Sequence, residues 1–269
     1  MHPQASFAEH LLQQRKQMTN RHTKILEVLT KNQRVEVTTL SDLLGVSQVT
    51  VRKDLDQLEE RGLILREHGY ARLDGLDDVG KSMAYHYDIK KRIAKAAAAT
   101  VEDGETVMIE SGSCCAFLAE ELATTKKDVT IITNSVFIAN YIRHAPYIKL
   151  ILLGGFYQPD SQVIVGPMTR KCGEIFFSDK FFIGVDGFSP KYGFTGKDHM
   201  RVQTVMDLAE YSRGLIVLTE SEKFLQPGVL GLARPDHVTD VYTDDKIPAD
   251  AEAMLLDYKV AIHKVPAHE

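Results

Sequence analysis

Residues 37–65, VTTLSDLLGVSQVTVRKDLDQLEERGLIL, decide how the first part of the chain folds. They read as two short helices joined by a tight turn. Thr39 and Asp42 have the spacing of a capping box, which predicts a helix start there. Leu40, Leu43 and Leu44 give that helix one apolar face. Gly45 tolerates a positive φ and lets the chain turn sharply. Ser47 is a favoured N-cap for the second helix. In that helix Val51, Leu55 and Leu58 recur at helical spacing and pack inward. Gln48, Thr50, Arg52 and Lys53 are left facing out near its N-terminal end.

This spacing fits a helix-turn-helix, whose second helix enters the major groove N-terminus first. Gln can pair bidentately with adenine, and Arg or Lys with guanine. Ser47, Thr50 and the first-turn N–H groups suit phosphates. On spacing alone, an ordinary amphipathic hairpin with a solvated charged face fits as well. The residues that follow separate the two. Gly62 suits the C′ position that closes the helix. Residues 63–66 read as a strand, 67–70 as a turn and 71–73 as a returning strand. A hairpin placed there is a wing, and its Arg66, His68 and Tyr70 can reach the DNA backbone or the minor groove.

With Leu40-Ser41-Asp42-Leu43-Leu44-Gly45-Val46-Ser47, Thr50-Val51-Arg52-Lys53-Asp54-Leu55 and Arg66-Glu67-His68-Gly69 in view, residues 21–73 resemble the winged helix-turn-helix of the DeoR family of bacterial sugar-metabolism regulators. The family usually carries a second glycine after His-Gly, where this chain has Tyr70. The departure touches the wing tip and leaves the fold intact.

The totals bound the rest. A chain of 269 residues holds one large domain or two smaller ones. Its hydrophobic fraction of 44% is that of a globular protein. A net charge of −5 puts DNA binding on a local basic patch, not on the field of the whole molecule. The start of the chain shows no signal-peptide pattern, and no apolar stretch is long enough for a bilayer. Three cysteines without CxxC spacing, two of them adjacent, indicate a reducing cytoplasm and no structural zinc. No cofactor and no metal are expected.

Residues 1–20 are polar and glutamine-rich, and either extend the first helix or stay loose. Residues 21–30 read as a helix with Ile25, Leu26 and Leu29 inward. Residues 74–80, with two glycines and three acids, read as a linker by composition. The expected organisation is a winged helix-turn-helix domain over 19–75, a linker over 76–87 and a sensor domain over 88–262. Residues 85–101 read as an alanine-rich packing helix, and its basic start, Lys90-Lys91-Arg92, as a solvated face.

From residue 106 strands alternate with helices. Strands are expected at 106–109, 129–132, 148–153, 180–184, 215–218, 238–242 and 259–262. Helices are expected at 115–122, 136–143, 198–211 and 249–256. Such alternation argues for an α/β domain with a mainly parallel sheet, covered on both faces. Ligands in such folds bind in loops beyond the carboxyl ends of the strands.

Five of those loops stand out. Ser111, Gly112 and Ser113, after Glu110 and before a helix, offer N–H groups, a helix dipole and hydroxyls to a phosphate. A plain serine-capped turn is the alternative. Asn134 and Ser135 lie at a second strand end. Gly154 and Gly155 permit close backbone approach, or simply a tight turn. Asp186 puts a carboxylate at a strand tip. Lys223 can meet a phosphate as a point charge, or stand solvated on the surface. Cys114 and Cys115 are either redox-sensitive thiols at a helix N-terminus or small buried hydrophobes.

Ser111-Gly112-Ser113, Thr133-Asn134-Ser135, Gly154-Gly155, Gly166, Asp186-Gly187, Gly193-Phe194-Thr195 and Lys223-Phe224 resemble the DeoR-family C-terminal sensor domain, over roughly residues 88–260. That domain is similar in fold to ribose-5-phosphate isomerase and glucosamine-6-phosphate deaminase. The resemblance implies a pocket for a phosphorylated sugar intermediate. Three places depart from the family: Glu110 replaces an aspartate, Glu222 precedes Lys223, and His199-Met200 stand where a glutamate-alanine pair is common.

The expected function is a transcriptional regulator, a repressor of a sugar-utilisation operon, controlled by a phosphorylated sugar. Its partners would be double-stranded operator DNA, that small effector and further copies of itself, as dimer or tetramer. No membrane is involved. A sugar-phosphate isomerase or deaminase carrying a DNA-binding domain is the alternative, with Asp186, Glu110 and His199 as available acid-base groups. A third reading gives the second domain only an oligomerising role.

Overall fold

The computed structural model describes residues 20–32, 34–60, 63–73 and 78–267. The readings for residues 1–19, for Gly62 and for residues 74–77 of the linker lie outside them. The chain divides into two compact units, Met1–Asp88 and Ile89–Glu269.

In the first unit, α1 (Asn20–Asn32), α2 (Val37–Leu44) and α3 (Gln48–Glu60) pack around fully buried Ile25, Leu26, Leu29, Leu40, Val51, Leu55 and Leu58. The wing is β2 (Ile64–Glu67) and β3 (Tyr70–Leu73), paired antiparallel with Arg66 opposite Ala71. A short β1 (Arg34–Glu36) adds to the other edge of β3, giving the order β1-β3-β2. Three residues are too few for β1 to show a period in the sequence.

Two local expectations need correction. Helix α2 begins at Val37, not at Thr39. Val37 is buried and its N–H donates to Gly69 O in the wing turn (3.0 Å), so the wing sets the helix start. Leu43 is 62% exposed. An eight-residue helix presents its Val37–Leu40 side to the core, and Leu43 falls off that side. Gly45 does turn the chain, in the left-handed region at φ +65°.

After the wing, α4 (Asp78–Ala84) takes in residues 78–80 of the stretch whose composition suggested a linker and continues past it. Val79, Met83 and Ala84 are buried at helical spacing, a signal masked by neighbouring acids and glycines. Helix α5 (Tyr87–Ala98) follows.

The second unit is built on a seven-stranded sheet. Its strands are β4 (Thr106–Ile109), β5 (Val129–Thr133), β6 (Ile148–Leu152), β9 (Ser178–Ile183), β12 (Ser212–Leu218), β14 (Asp240–Asp244) and β15 (Ala261–Val265). Their order is β15-β14-β12-β9-β4-β5-β6, and every pairing is parallel. The chain runs outward from β4 through β5 to β6. It then returns to the other side of β4 and runs through β9, β12, β14 and β15. The order reverses between β4 and β9, and that gap is the sheet's topological switch point.

Helices α6 (Ser113–Thr125), α7 (Val136–Tyr141), α9 (His199–Ala209) and α10 (Ala249–Asp257) lie between strands, with α8 (Pro167–Gly173) after a β7 (Phe156–Gln158)–β8 (Val163–Val165) hairpin. A small antiparallel sheet of β10 (Gly187–Ser189), β11 (Gly193–Gly196) and β13 (Leu230–Ala233) was not legible beforehand. Phe188, Phe194 and Phe224 tie it to the 3₁₀ turn Ser221–Leu225, with centroids 5.2 to 6.1 Å apart.

Candidate DNA interface and effector cleft

On α3 the inward residues are Val51, Asp54, Leu55 and Leu58, which leaves Gln48, Arg52 and Lys53 exposed on the opposite side. Ser47 is exposed, and its Oγ accepts the Thr50 N–H (3.2 Å) and lies 3.0 Å from Thr50 Oγ1. Ser47, just before α3, therefore lies beside Gln48, Thr50, Arg52 and Lys53 in its N-terminal half. Its seat on the core is fixed by buried Asp54, which accepts Arg21 Nη2 (2.8 Å) and Nε and lies 3.2 Å from His22 Nε2.

The wing is less free. His68 is exposed at its tip. Arg66 pairs with Asp56 of α3, and its N–H donates to Glu59 Oε1 (2.9 Å). The Tyr70 hydroxyl donates to Glu36 Oε1 (2.7 Å), and Arg34 stacks 3.9 Å above the Tyr70 ring. That bond holds the Glu36 carboxyl below its ordinary range and lifts the Tyr70 phenol above its own. Tyr70 thus ties the wing to β1.

In the second unit, all five loops follow carboxyl ends of strands in the one parallel sheet. The first and fourth flank the switch point. Glu110, just past β4, is bound to β9 through its N–H to Phe182 O (2.9 Å). A Cβ on Gly112 would sit 3.8 Å from Gly184 Cα, so the two loops run side by side. Gly112 has φ +119°, which few other residues adopt, and it leads into α6. Ser111 and Ser113 are buried. The Ser111 hydroxyl donates to Glu110 Oε1 (2.6 Å). Arg201, in the first turn of α9, donates from Nη2 to Ser111 Oγ (3.0 Å) and lies 3.5 Å from Glu110 Oε1. Burial pushes the Glu110 carboxyl up, against the pull of Arg201, Ser111 and the Gly184 N–H, and Asp186 adds to the rise. Burial pulls Arg201 down, but Glu110 and Asp186 more than offset it, and the guanidinium stays charged. Asp186 is half-buried and accepts the Lys197 N–H (2.9 Å).

At the second loop Asn134 is buried. Its amide donates to Ile164 O (2.9 Å), while its Oδ1 is enclosed without a hydrogen-bond partner. Ser135 caps α7 by accepting the Ile138 N–H (3.1 Å). At the third loop Gly154 and Gly155 are exposed. A Cβ on Gly155 would run into Thr169 Oγ1 and Ile164, so packing against α8 and β8 is a sufficient reason for that glycine. At the fifth, half-buried Lys223 sits on the turn anchored by Phe224.

Three residues of this edge were missed. Lys90, read as part of a solvated face, is fully buried, 3.1 Å from the equally enclosed Glu220. Arg201 is the third. Both cations carry the same signal: each lies on the apolar stripe of its helix. Lys90 aligns with Ile93, Ala94 and Ala97, and Arg201 with Val205 and Leu208, all buried. The thiols of Cys114 and Cys115 are pushed well above their ordinary range by burial first, then by Glu220 and Glu110 respectively. That corrects the redox alternative: both behave as small buried hydrophobes. Among the described residues no group of three or more His, Cys, Asp or Glu is placed to hold a metal, and no helix is long and apolar enough to cross a membrane.

Two family models match the chain, the DeoR-like helix-turn-helix domain over residues 21–75 and the DeoR C terminal sensor domain over 85–245. Among curated relatives, a putative aga operon transcriptional repressor of Escherichia coli O157:H7 is 28% identical, over 87% of this chain and 88% of its own. The glycerol-3-phosphate regulon repressor of Escherichia coli K12 is 27% identical, over 91% and 98%. Among solved structures, ribose 5-phosphate isomerase from Plasmodium falciparum aligns over 51% of this chain and 52% of its own, at 17% identity and a TM-score of 0.38.

Proposed function

The chain belongs to the DeoR family, and on that premise we propose that it is a DNA-binding transcriptional repressor of a sugar-utilisation operon, released from its operator by a phosphorylated sugar. The observation that carries the effector half is the switch point. There a glycine-serine turn opens the 13-residue α6, with Arg201 reaching the turn and Lys223 on a neighbouring loop. First-turn N–H groups of a helix have no partner within it, and together with the dipole they favour an anion.

Ser111, Gly112, Ser113, Asn134, Ser135, Gly154, Gly155, Asp186 and Lys223 would line the effector site. Ser47, Gln48, Thr50, Arg52, Lys53, Arg66, His68 and Tyr70 would face DNA. The working unit is a homo-oligomer in the cytoplasm, since one winged helix buries too little surface for tight specific binding and two half-sites need two protomers. We read the cleft as a sensor and not as an enzyme. Glu110 is tied to Ser111 and Arg201, and Asp186 to a backbone N–H, so neither is poised as a general base.

The test is operator release. An operator is selected from random DNA with the full chain, and its binding is followed by anisotropy against a panel of sugar phosphates and their unphosphorylated parents. Release by at least one phosphate, and by none of the parents, supports the reading. No release across the panel, or release by a parent sugar, overturns it.

A further inference from the structure

The Ser111 hydroxyl is the obvious side-chain donor for an anion at the α6 turn, yet its geometry removes it from that role. A hydroxyl has one proton to give. Ser111 gives it to Glu110 Oε1 at 2.6 Å. Its oxygen meanwhile accepts from Arg201 Nη2 at 3.0 Å. What Ser111 offers the cleft is an oxygen lone pair, which an anion avoids.

Arg201 is placed to do what Ser111 cannot. Its side chain is 29% exposed. Nη2 meets Ser111 Oγ and the Glu110 carboxylate. Nε is fully enclosed and has no hydrogen-bond partner. An enclosed donor without an acceptor is uncommon in folded proteins and marks a place where a ligand atom can complete the set. The planar guanidinium matches a phosphate or carboxylate through two parallel N–H bonds, which a lysine cannot do.

We propose that Arg201, and not the Ser111 hydroxyl, is the side chain that holds the anionic group of the effector beside the α6 turn. The proposal rests on the phosphorylated-effector reading above and names the residue that selects for the phosphate. Glu110 is the positioning residue, holding Arg201 against the turn directly and through Ser111. The glutamate, one methylene longer than aspartate, thereby has a role in this chain tied to the arginine it meets. A phosphate monoester fits better than a neutral sugar, because the vacant donors are all charged or dipolar.

The experiment follows thermal unfolding of the full chain with inorganic phosphate and with glucose 6-phosphate as probes. The variants are Ser111→Ala, Arg201→Lys, Arg201→Met and Ser113→Asp. Ser111→Ala, which keeps the turn backbone and the direct Glu110–Arg201 contact, should lose less of the response than either Arg201 variant. Arg201→Met should need at least tenfold more phosphate for the same shift. Arg201→Lys, which keeps the charge and loses the fork, should fall between. Arg201→Lys also carries the test if Arg201→Met does not fold. Equal responses of wild type and both Arg201 variants, with Ser113→Asp silent, overturn the role of Arg201 and leave the phosphate site standing. Loss of the response in Ser111→Ala with both Arg201 variants normal overturns it too. A wild type that responds to neither probe overturns this proposal, and the operator-release panel then decides the effector reading by itself.

Discussion

Lys90 Nζ lies 3.1 Å from Glu220 Oε1, and the two side chains are only 2% and 7% exposed. The pair joins α5 to the loop after β12, next to the turn that carries Lys223. Removing one member of a buried pair leaves the other charge without its counterpart, at a cost of about 3–5 kcal/mol. Lys90→Met and Glu220→Gln should each destabilise by roughly that amount. Lys90→Met combined with Glu220→Gln should cost clearly less than the sum. Urea unfolding of the singles and the double measures it. Additive losses would show that the two residues are not energetically coupled.

The contrast between Lys90 and Arg52 shows where sequence reading reaches and where it stops. Arg52 and Lys53 lie opposite Val51, Leu55 and Leu58, and a helical period puts them outside, where they are. The seven parallel strands were legible from short stretches rich in apolar residues between loops, although β14 (Asp240–Asp244) and β15 (Ala261–Val265) are mixed in composition and end beyond the expected 242 and 262. Lys90 lies on the apolar side of its own helix, and its charge argued for solvent more loudly than its position argued for the core. The acid brought up from a loop 130 residues away offsets that burial, and no local pattern contains it. The β10–β11–β13 sheet was lost for a related reason. Its strands are three or four residues long and rest on contacts among Phe188, Phe194 and Phe224 that join distant loops.

Arg52 and Lys53 carry the specificity prediction. If either reaches a base edge, its change to Ala should cost about 1–3 kcal/mol and relax one operator position. If it holds only phosphate, all sequences should weaken together and the salt slope should fall by about one unit. Binding titrations of both variants at several salt concentrations separate the two. Unchanged binding in both would mean that α3 is not the reading helix.

Glu110 sets a pH dependence. Its folded pKa is raised, chiefly by burial, with Asp186 adding to the rise and Arg201, Ser111 and the Gly184 N–H opposing it. A carboxyl raised on folding contributes stability that is whole below its unfolded pKa, about 4.3, and is lost as pH climbs through the folded value. Relative to Glu110→Gln, which does not titrate there, wild type should therefore lose stability from about pH 4.3 upward and level off above the folded pKa. Urea midpoints of both proteins from pH 4 to 8 provide the comparison. A difference that stays flat, or that moves in favour of wild type as pH rises, contradicts the direction.

The last prediction concerns control of DNA binding. A ligand loosens the operator only if it binds the released state more tightly than the DNA-bound one. A coupling of about 1–3 kcal/mol would lower operator affinity roughly 5- to 150-fold. Two substitutions probe this from opposite signs. Ser113→Asp puts a negative charge where the phosphate would sit, at the first position of α6. The helix tolerates it, because an acid at an N-terminus interacts favourably with the dipole. Lys223→Ala removes the cation and leaves Phe224, which anchors the turn, in place. Both variants should hold operator DNA as wild type does, since Ser47, Arg52 and Lys53 belong to the other unit. Ser113→Asp should no longer release DNA at any effector concentration that releases wild type. Lys223→Ala should need about tenfold more effector, equivalent to about 1.4 kcal/mol. Anisotropy titrations of the operator complex against the sugar phosphate found active on wild type measure both. If the two variants release DNA at the wild-type effector concentration, the anion binds away from the α6 turn and the pocket must be sought at another strand end.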